Sequence, residues 1–405
     1  MSSANSPISP LRSDLDTYDD KNSDTESDTS TLEWDHEPFS TFQSRVHEFA
    51  HKSIWPETDP QHIIVERLRG GGFNRIIGLT RLNSDEDNSL ETRYILRIPR
   101  LDSTQVENDV AALRFLERHT GIRVPKVITY DDTAHNGLES PFSVLTRIDG
   151  SDLCSSFPNF DHPTKKKVAH ELGNIFRQML ATQSRTSGTL TILKGHGTTD
   201  TATYVRPFGC EDSRLSVLYS NSPNTEILLE QLKNNFQAQK AASPESILRR
   251  QFMDRFCTMA IELSQGGWFD DVPNCLTHFD FAPRNILVNP TTNSRNPVIT
   301  AVLDWDNAGF APMFMACTPP LWIWGWLDDE DEDERTANEE PATPEARELK
   351  RLFEEAAGEG YMRFSYQPAY RLARRLVQFA IDGRIRSNED MNEADEMLQE
   401  WETIK

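Results

Sequence analysis

Cysteine is scarce in this chain of 405 residues: there are five, Cys154, Cys210, Cys257, Cys275 and Cys317. They lie far apart, in odd number and with no C-x-x-C, which excludes a disulfide framework and a zinc cluster. A reducing compartment follows. The N-terminal stretch has no apolar run and is acidic where a transit peptide is basic, so no targeting segment is expected and the location read from the sequence is cytoplasmic. Long hydrophobic runs are missing too. The most apolar window, Ala311 to Leu327, is broken by Pro312, Pro319 and Pro320 and falls short of the roughly 20 residues of a spanning helix, so no membrane association is expected. Basic charge is also short, with 42 Lys and Arg against 64 Asp and Glu. No local run of bases supplies the footprint of a nucleic-acid surface, which excludes nucleic acid as a partner.

Acidic charge is concentrated. Residues 1–40 hold ten acids against two bases and residues 328–340 hold nine against one, so most of the net −22 sits in two segments around a nearly neutral body. Residues 1–36 are rich in Ser, Thr and Asp and poor in aliphatics, which predicts a disordered acidic tail. Order is expected from Pro38, where Phe39, Phe42, Val46, Phe49 and Ala50 recur at helical spacing.

From residue 62 to 148 short β-branched runs alternate with turns: HIIVERL, NRIIGLTRL, TRYILRIP, KVITY and SVLTRI. A single amphipathic helix interrupts them, with Val106, Val110, Leu113 and Leu116 on one face. This order predicts an antiparallel sheet with one helix packed against it, over 37–148. After Gly150 the pattern turns helical: Val168, Leu172, Ile175, Phe176, Met179 and Leu180 share a face, as do Leu372, Ala373, Leu376, Val377 and Ala380. Inside this helical lobe of 149–405, two short apolar runs, Ile286–Val288 and Val298–Leu303, flank the turn-rich NPTTNSRNP and predict a hairpin.

The open end of that hairpin carries the chemistry. THFDFAPRN, with His278, Asp280 and Asn285, stands before its first strand, within a loop spanning 276–290. Asp304 closes the second strand, in 298–306. Antiparallel pairing brings Asn285 and Asp304 to the same end, and two oxygen ligands facing one point suit a hard, mostly hydrated magnesium ion. Asp280, five positions before Asn285, reaches a substrate hydroxyl beside the metal. Against this stands a bland reading, in which the His–Asp pair is an incidental turn and Asn285 a cap.

The string H-F-D-F-A-P-R-N-I-L-V followed by V-L-D-W-D resembles the catalytic loop and metal aspartate of the aminoglycoside phosphotransferase and choline kinase group, and most closely a set of fungal phosphotransferase-like proteins. The resemblance covers about 65 to 380. It implies an α+β, protein-kinase-like fold of two lobes, a small antiparallel β lobe with one helix and a larger, mainly helical lobe. It further implies that ATP and magnesium are cofactors, that a small-molecule hydroxyl is the acceptor, that Asp280 is the catalytic base braced by His278, and that Asn285 and Asp304 hold magnesium. In such chemistry positioning and charge neutralisation do most of the work, because the transferred group passes through a loose transition state.

The small lobe supplies the nucleotide side of the expectation. Gly70, Gly71 and Gly72 let backbone amides approach a triphosphate, though a tight hairpin reads the same way. Arg97, in YILRIPR, stands where protein kinases carry the lysine of V-A-I-K, and its fork grips phosphate and carboxylate together. Its partner comes from the helix at 104–119: Asp109 shares a face with Val106, Leu113 and Leu116, whereas Glu107 is two residues away. The connector SVLTRIDG resembles the hinge on which adenine hangs, through the main chain of Thr146 and Ile148; an ordinary edge strand looks alike.

Three departures separate the chain from regulated protein kinases: Phe279 for the Arg of H-R-D, Ala282 for the lysine two after the catalytic Asp, and Trp305–Asp306 for Phe-Gly. Asp304 to Cys317 also contains no Ser, Thr or Tyr to phosphorylate. The other rival is a nucleotide-binding pseudokinase serving as an interaction scaffold, against which the intact His278, Asp280, Asn285 and Asp304 stand. The acidic run at 328–340 reads as a solvated loop, and Trp322, Trp324 and Trp326 read as core packing before an ammonium cage.

Overall fold

The computed structural model describes residues 37–68, 73–82, 91–100, 104–192, 203–207, 225–290, 296–325, 333–382, 385 and 387–405. The tail at 1–36, Gly70 to Gly72, and residues 326–332, which take in Trp326 and part of the acidic run, lie outside the described residues.

The fold is α+β with two lobes, each with its own apolar core. In the small lobe five antiparallel strands, β1 (Ile63–Arg67), β2 (Asn74–Arg81), β3 (Thr92–Pro99), β4 (Val127–Asp131) and β5 (Phe142–Thr146), take the spatial order β1-β2-β3-β5-β4. Alternation sorts their side chains: Ile77 and Leu79 of β2 and Leu96 and Ile98 of β3 enter the small core, while Ile76 and Arg97, paired across the two strands, point to the other face. The helix covering the apolar face is α1 (Phe39–Phe49), which contributes Phe42, Val46 and Phe49.

The helix expected on this sheet, α2 (Thr104–His119), packs on its strands β4 and β5 and on β8 (Gly188–Ile192) and β9 (Thr203–Pro207) of the large lobe as well. Val106, Val110, Leu113 and Leu116 belong to the core of the large lobe, together with Ala111 and Ala112, which widen the apolar stripe beyond what one sheet would cover. Periodicity marks which face of a helix is buried and does not encode against what.

After the connector, β6 (Ser151–Asp152) leads to α3 (His162–Ala181), capped by Asp161, which accepts from the Thr164 N–H at 3.0 Å. Gly173 of α3 lies against α6 (Pro344–Ala357), so close that an added Cβ would sit 2.4 Å from the Phe353 carbonyl oxygen. Between these two helices in sequence come β7 (Gln183–Ser184), β8 (Gly188–Ile192), β9 (Thr203–Pro207), α4 (Thr225–Ala242), α5 (Ile247–Gln265), β10 (Asn274–Thr277), β11 (Ile286–Val288), β12 (Ile299–Val302) and β13 (Gly309–Pro312); α7 (Glu359–Ser365), α8 (Pro368–Asp382) and α9 (Asn388–Ile404) follow. The lobe is less purely helical than expected, because it holds a five-stranded sheet of order β7-β10-β13-β8-β9 and a three-stranded one of order β12-β11-β6. The expected hairpin is β11–β12, with Ile286 opposite Val302.

Beyond β12 on its outer side stand two side chains. The Glu171 carboxylate of α3 accepts from the N–H groups of Val298 and Ile299 at 3.0 and 2.8 Å, while Arg123 donates to the Ile299 carbonyl at 2.8 Å and its own carbonyl accepts from the Val302 N–H at 2.9 Å. Trp322 is buried in the large core, and Trp324 packs on Phe353 at 5.8 Å between centroids, so both serve packing.

Candidate active site

The site begins where β10 ends. His278, 2% exposed, accepts at Nδ1 from the Asp280 N–H at 3.3 Å and donates from Nε2 to the Leu303 carbonyl at 2.8 Å. Those two bonds fix the neutral tautomer, and burial holds the imidazole below its ordinary pKa against the pull of Asp280 and Asp304. Trp305 packs on the ring at 4.4 Å and is itself fully buried, its indole N–H donating to the Val302 carbonyl at 3.0 Å.

Phe279 and Asp304 both adopt left-handed backbone, each with φ of 65°. For residues with a Cβ this costs energy and persists where surroundings enforce it, commonly at functional sites. The turn at Phe279 delivers Asp280 to the cleft, where its side chain is 42% exposed. Both carboxylate oxygens are held: Arg284 donates to Oδ1 at 2.5 Å and the Asn285 side-chain amide to Oδ2 at 3.0 Å. The Asn285 carbonyl accepts from the Leu303 N–H at 2.7 Å, which sets Asn285 and Asp304 at the same end of the hairpin.

Across the cleft Arg97, with a side chain 13% exposed, spans three carboxylates. Its Nη1 donates to Asp109 at 3.2 Å, its Nη2 to Asp304 at 2.8 Å, and Asp306 lies 3.8 Å from Nη2. Burial alone would lower the guanidinium pKa; Asp109, Asp304 and Asp306 overcome it and raise it. Burial also pushes Asp109 above the carboxylate range despite Arg97, and leaves its Oδ1 without a hydrogen-bond partner. Burial and the Asp304 charge push Asp306 up to about 7. Of the two acidic candidates on α2, Asp109 touches Arg97; Glu107 instead meets Thr191 and Arg206.

At the connector, the Thr146 N–H is spent on the Lys126 carbonyl at 2.9 Å and its hydroxyl accepts from the Lys126 N–H. Thr146 is therefore inside the sheet, between β3 and β4, and its N–H has no place in a hinge contact. Ile148 follows in the connector itself. Gly150 ends it with φ of 147°, its Cα so near β11 that a Cβ would stand 2.6 Å from the Val288 carbonyl oxygen.

The donors present suit a hard cation. Asn285 spends its Nδ2 on Asp280, leaving the amide oxygen as acceptor, Asp304 gives one oxygen to Arg97, and a divalent cation at Asp304 would offset the charge that pushes Asp306 up. Among the described residues no group of three or more His, Cys, Asp or Glu forms a ready cage, as expected for an ion that shares its shell with phosphates and water.

Sequence reasoning missed two members of this constellation. Asp306 was visible as the second acid of D-W-D, two residues from Asp304, and Arg284 as the base four residues after Asp280.

Residues 78–349 match the model of the phosphotransferase enzyme family. Among curated proteins, Altered inheritance of mitochondria protein 9, mitochondrial, of Meyerozyma guilliermondii is 24% identical over 200 residues, covering 48% of this chain and 32% of that protein. Its namesake in Scheffersomyces stipitis is 28% identical over 109 residues, 22% of this chain and 17% of that protein. The chain thus spans about a third or less of the length of these relatives. Their names point to mitochondria and overturn the cytoplasmic location expected above; unpaired cysteines report reducing surroundings and do not tell one such compartment from another. None of the described helices is long and apolar enough to cross a membrane. Among solved structures, ADP-bound aminoglycoside phosphotransferase APH(2'')-Ib is 14% identical, with a TM-score of 0.50 over 88% of this chain and 97% of that one, a likeness of fold.

Proposed function

Since the chain belongs to the phosphotransferase enzyme family, we propose that it moves the γ-phosphoryl group of ATP, with magnesium, to a hydroxyl of a small molecule. The observation that carries this reading is the meeting of Asp280 and Asn285, bonded side chain to side chain at 3.0 Å, with Asp304 at the same end of the hairpin.

Asp280 acts as the base. Arg284 and Asn285 fix its two oxygens, and its exposure leaves it open to an incoming hydroxyl, which it orients and whose proton it receives as the oxygen attacks phosphorus. His278 is a positioning residue: it ties the loop of Asp280 to the strand of Asp304 through Leu303. Arg97 presents a fixed positive charge to nucleotide phosphates, aimed by Asp109. Asn285 and Asp304 would hold magnesium, which when bound neutralises phosphate charge in the transition state.

Trp305 and the segment after it disfavour a protein kinase as acceptor chemistry would require it. Residues 309–312 form β13, buried between β10 and β8, where an activation loop would need to be free. One observation favours the scaffold rival: Arg97 and Asp304 already satisfy each other. The test is a screen of hydroxylated metabolites and aminoglycosides for ATP turnover, run beside magnesium-ATP binding. A wild type that binds but neither hydrolyses ATP nor phosphorylates any acceptor would leave the scaffold.

A further inference from the structure

Glu107 has no part in the mechanism above, although it lies on the same first stretch of α2 as Asp109. Its Oε1 accepts from the Thr191 hydroxyl at 2.5 Å and from Arg206 Nη2 at 3.1 Å, and Arg206 also reaches the Thr191 oxygen. Thr191 is fully buried and the Glu107 side chain is 18% exposed, so solvent screens their hydrogen bond little, whereas Arg206, at 42%, meets Glu107 from the solvent side. Thr191 and Arg206 come from the paired strands β8 and β9.

The sheet they belong to also holds β13, with Gly309 opposite Thr189, and β13 begins three residues after Asp306. The apolar face of α2 is in the core of the large lobe, whereas the neighbours of Arg97 on β3, Leu96 and Ile98, are in the core of the small lobe. Asp304 and Asp306 are therefore carried by one body and Arg97 by the other, and α2, with Asp109, touches both, β4 and β5 on one side and β8 and β9 on the other. Where Asp109 stands relative to Asp304 and Asp306 depends on how the start of α2 is fixed to the β8–β9 hairpin, and Glu107 is a polar fastener there.

We infer that Glu107 is a positioning residue for the nucleotide phosphates: by clamping α2 to β8 and β9 it sets Asp109, and through Asp109 the direction in which Arg97 presents its charge. This rests on the phosphotransferase reading. Small displacements of a positioning group are costly because the guanidinium fork is directional.

The experiment is isothermal titration of the full chain with the magnesium complex of a non-hydrolysable ATP analogue, and separately with adenosine, which has no phosphates. Glu107→Ala should bind the analogue about ten-fold more weakly and adenosine as wild type does, and Glu107→Gln, which keeps an acceptor for Thr191 but loses the charge facing Arg206, should fall between. In an Asp109→Asn background, Glu107→Ala should add nothing. Equal loss of adenosine and analogue, or full additivity with Asp109→Asn, would show a role in the fold alone and overturn the inference; so would binding of the analogue at the wild-type level. Should Glu107→Ala fail to fold, Glu107→Gln and Arg206→Lys decide by the same comparison. A wild type that binds adenosine but not the magnesium analogue overturns the phosphotransferase reading itself, and this inference with it.

Discussion

Arg97 Nη2 and Asp304 Oδ1 meet at 2.8 Å across 207 positions of chain. The side chain proposed to take nucleotide phosphate and the side chain proposed to take magnesium thus neutralise each other, and the nucleotide must part them. On the proposed reading Arg97 would take phosphate in place of Asp304, and Asp304 would hold the cation in place of Arg97, so neither nucleotide nor metal alone would suffice. ATP should raise the melting temperature with magnesium and hardly at all with EDTA. Asp304→Asn should abolish the magnesium-dependent part of that rise. Equal shifts with magnesium and with EDTA in the wild type would remove the metal assignment.

Asp280→Asn keeps the shape of the side chain and removes the proposed base. General bases typically contribute about 100- to 10,000-fold, equivalent to roughly 3 to 5 kcal/mol of barrier at 1.36 kcal/mol per tenfold. Turnover should drop by that factor with nucleotide affinity retained. Melting should move little, because the side chain is 42% exposed and its contacts are local. Steady-state rates beside melting curves check both.

His278 gives stability a pH dependence. Burial lowers its folded pKa below the 6.5 of the unfolded chain, so the unfolded state takes up the proton first as pH falls. The His278 contribution should be full above about 6.5 and decline below it, by at most about 1.4 kcal/mol per pH unit, until the folded value is passed, while Asp306, pushed up to about 7, works in the opposite direction. His278→Asn should flatten the slope between pH 6.5 and 5 in urea denaturation. A slope unchanged by the substitution would assign it to other groups.

Gly150→Ala tests the join between the lobes. Its φ of 147° and the 2.6 Å approach to the Val288 carbonyl leave no room for a methyl group, and an unfavourable backbone of this kind costs about 1–3 kcal/mol. Chemical denaturation should show a loss of at least that size, since the clash adds to the strain.

Thiol labelling at pH 8 should reach Cys154 and Cys257, which are half-buried, and spare Cys275 and Cys317. Burial pushes the Cys275 thiol up to about 12 and raises Cys317 well above its ordinary value, so neither offers thiolate to the reagent. Peptide mapping before and after denaturation distinguishes the two classes.

The parts legible in the sequence were those whose chemistry is local. The strands of the small lobe and the β11–β12 hairpin announced themselves by β-branched runs between turns, and Asp280, Asn285 and Asp304 by spacing across that hairpin. Burial against distant partners was not legible. That α2 joins the large core, that β8 and β9 extend a sheet within it, and that Asp306 and Arg284 complete the site all depend on which elements meet, and one chain's periodicity carries no such address. Thr146 failed as a main-chain donor for the same reason: Lys126 lies 20 residues earlier, and its carbonyl leaves no mark on the residue it occupies.

The carboxylate of Glu171 and the Arg123 side chain and carbonyl occupy three amides and one carbonyl along the free margin of β12. An exposed strand margin is a template on which another chain can add itself, the usual first step of aggregation. Here hydrogen-bonding positions that such an intruder would use are already filled, by a helix side chain and by the side chain and carbonyl of a loop residue, with a charge of each sign among them. On this side the three-stranded sheet that presents Asn285 and Asp304 is therefore closed to an added strand.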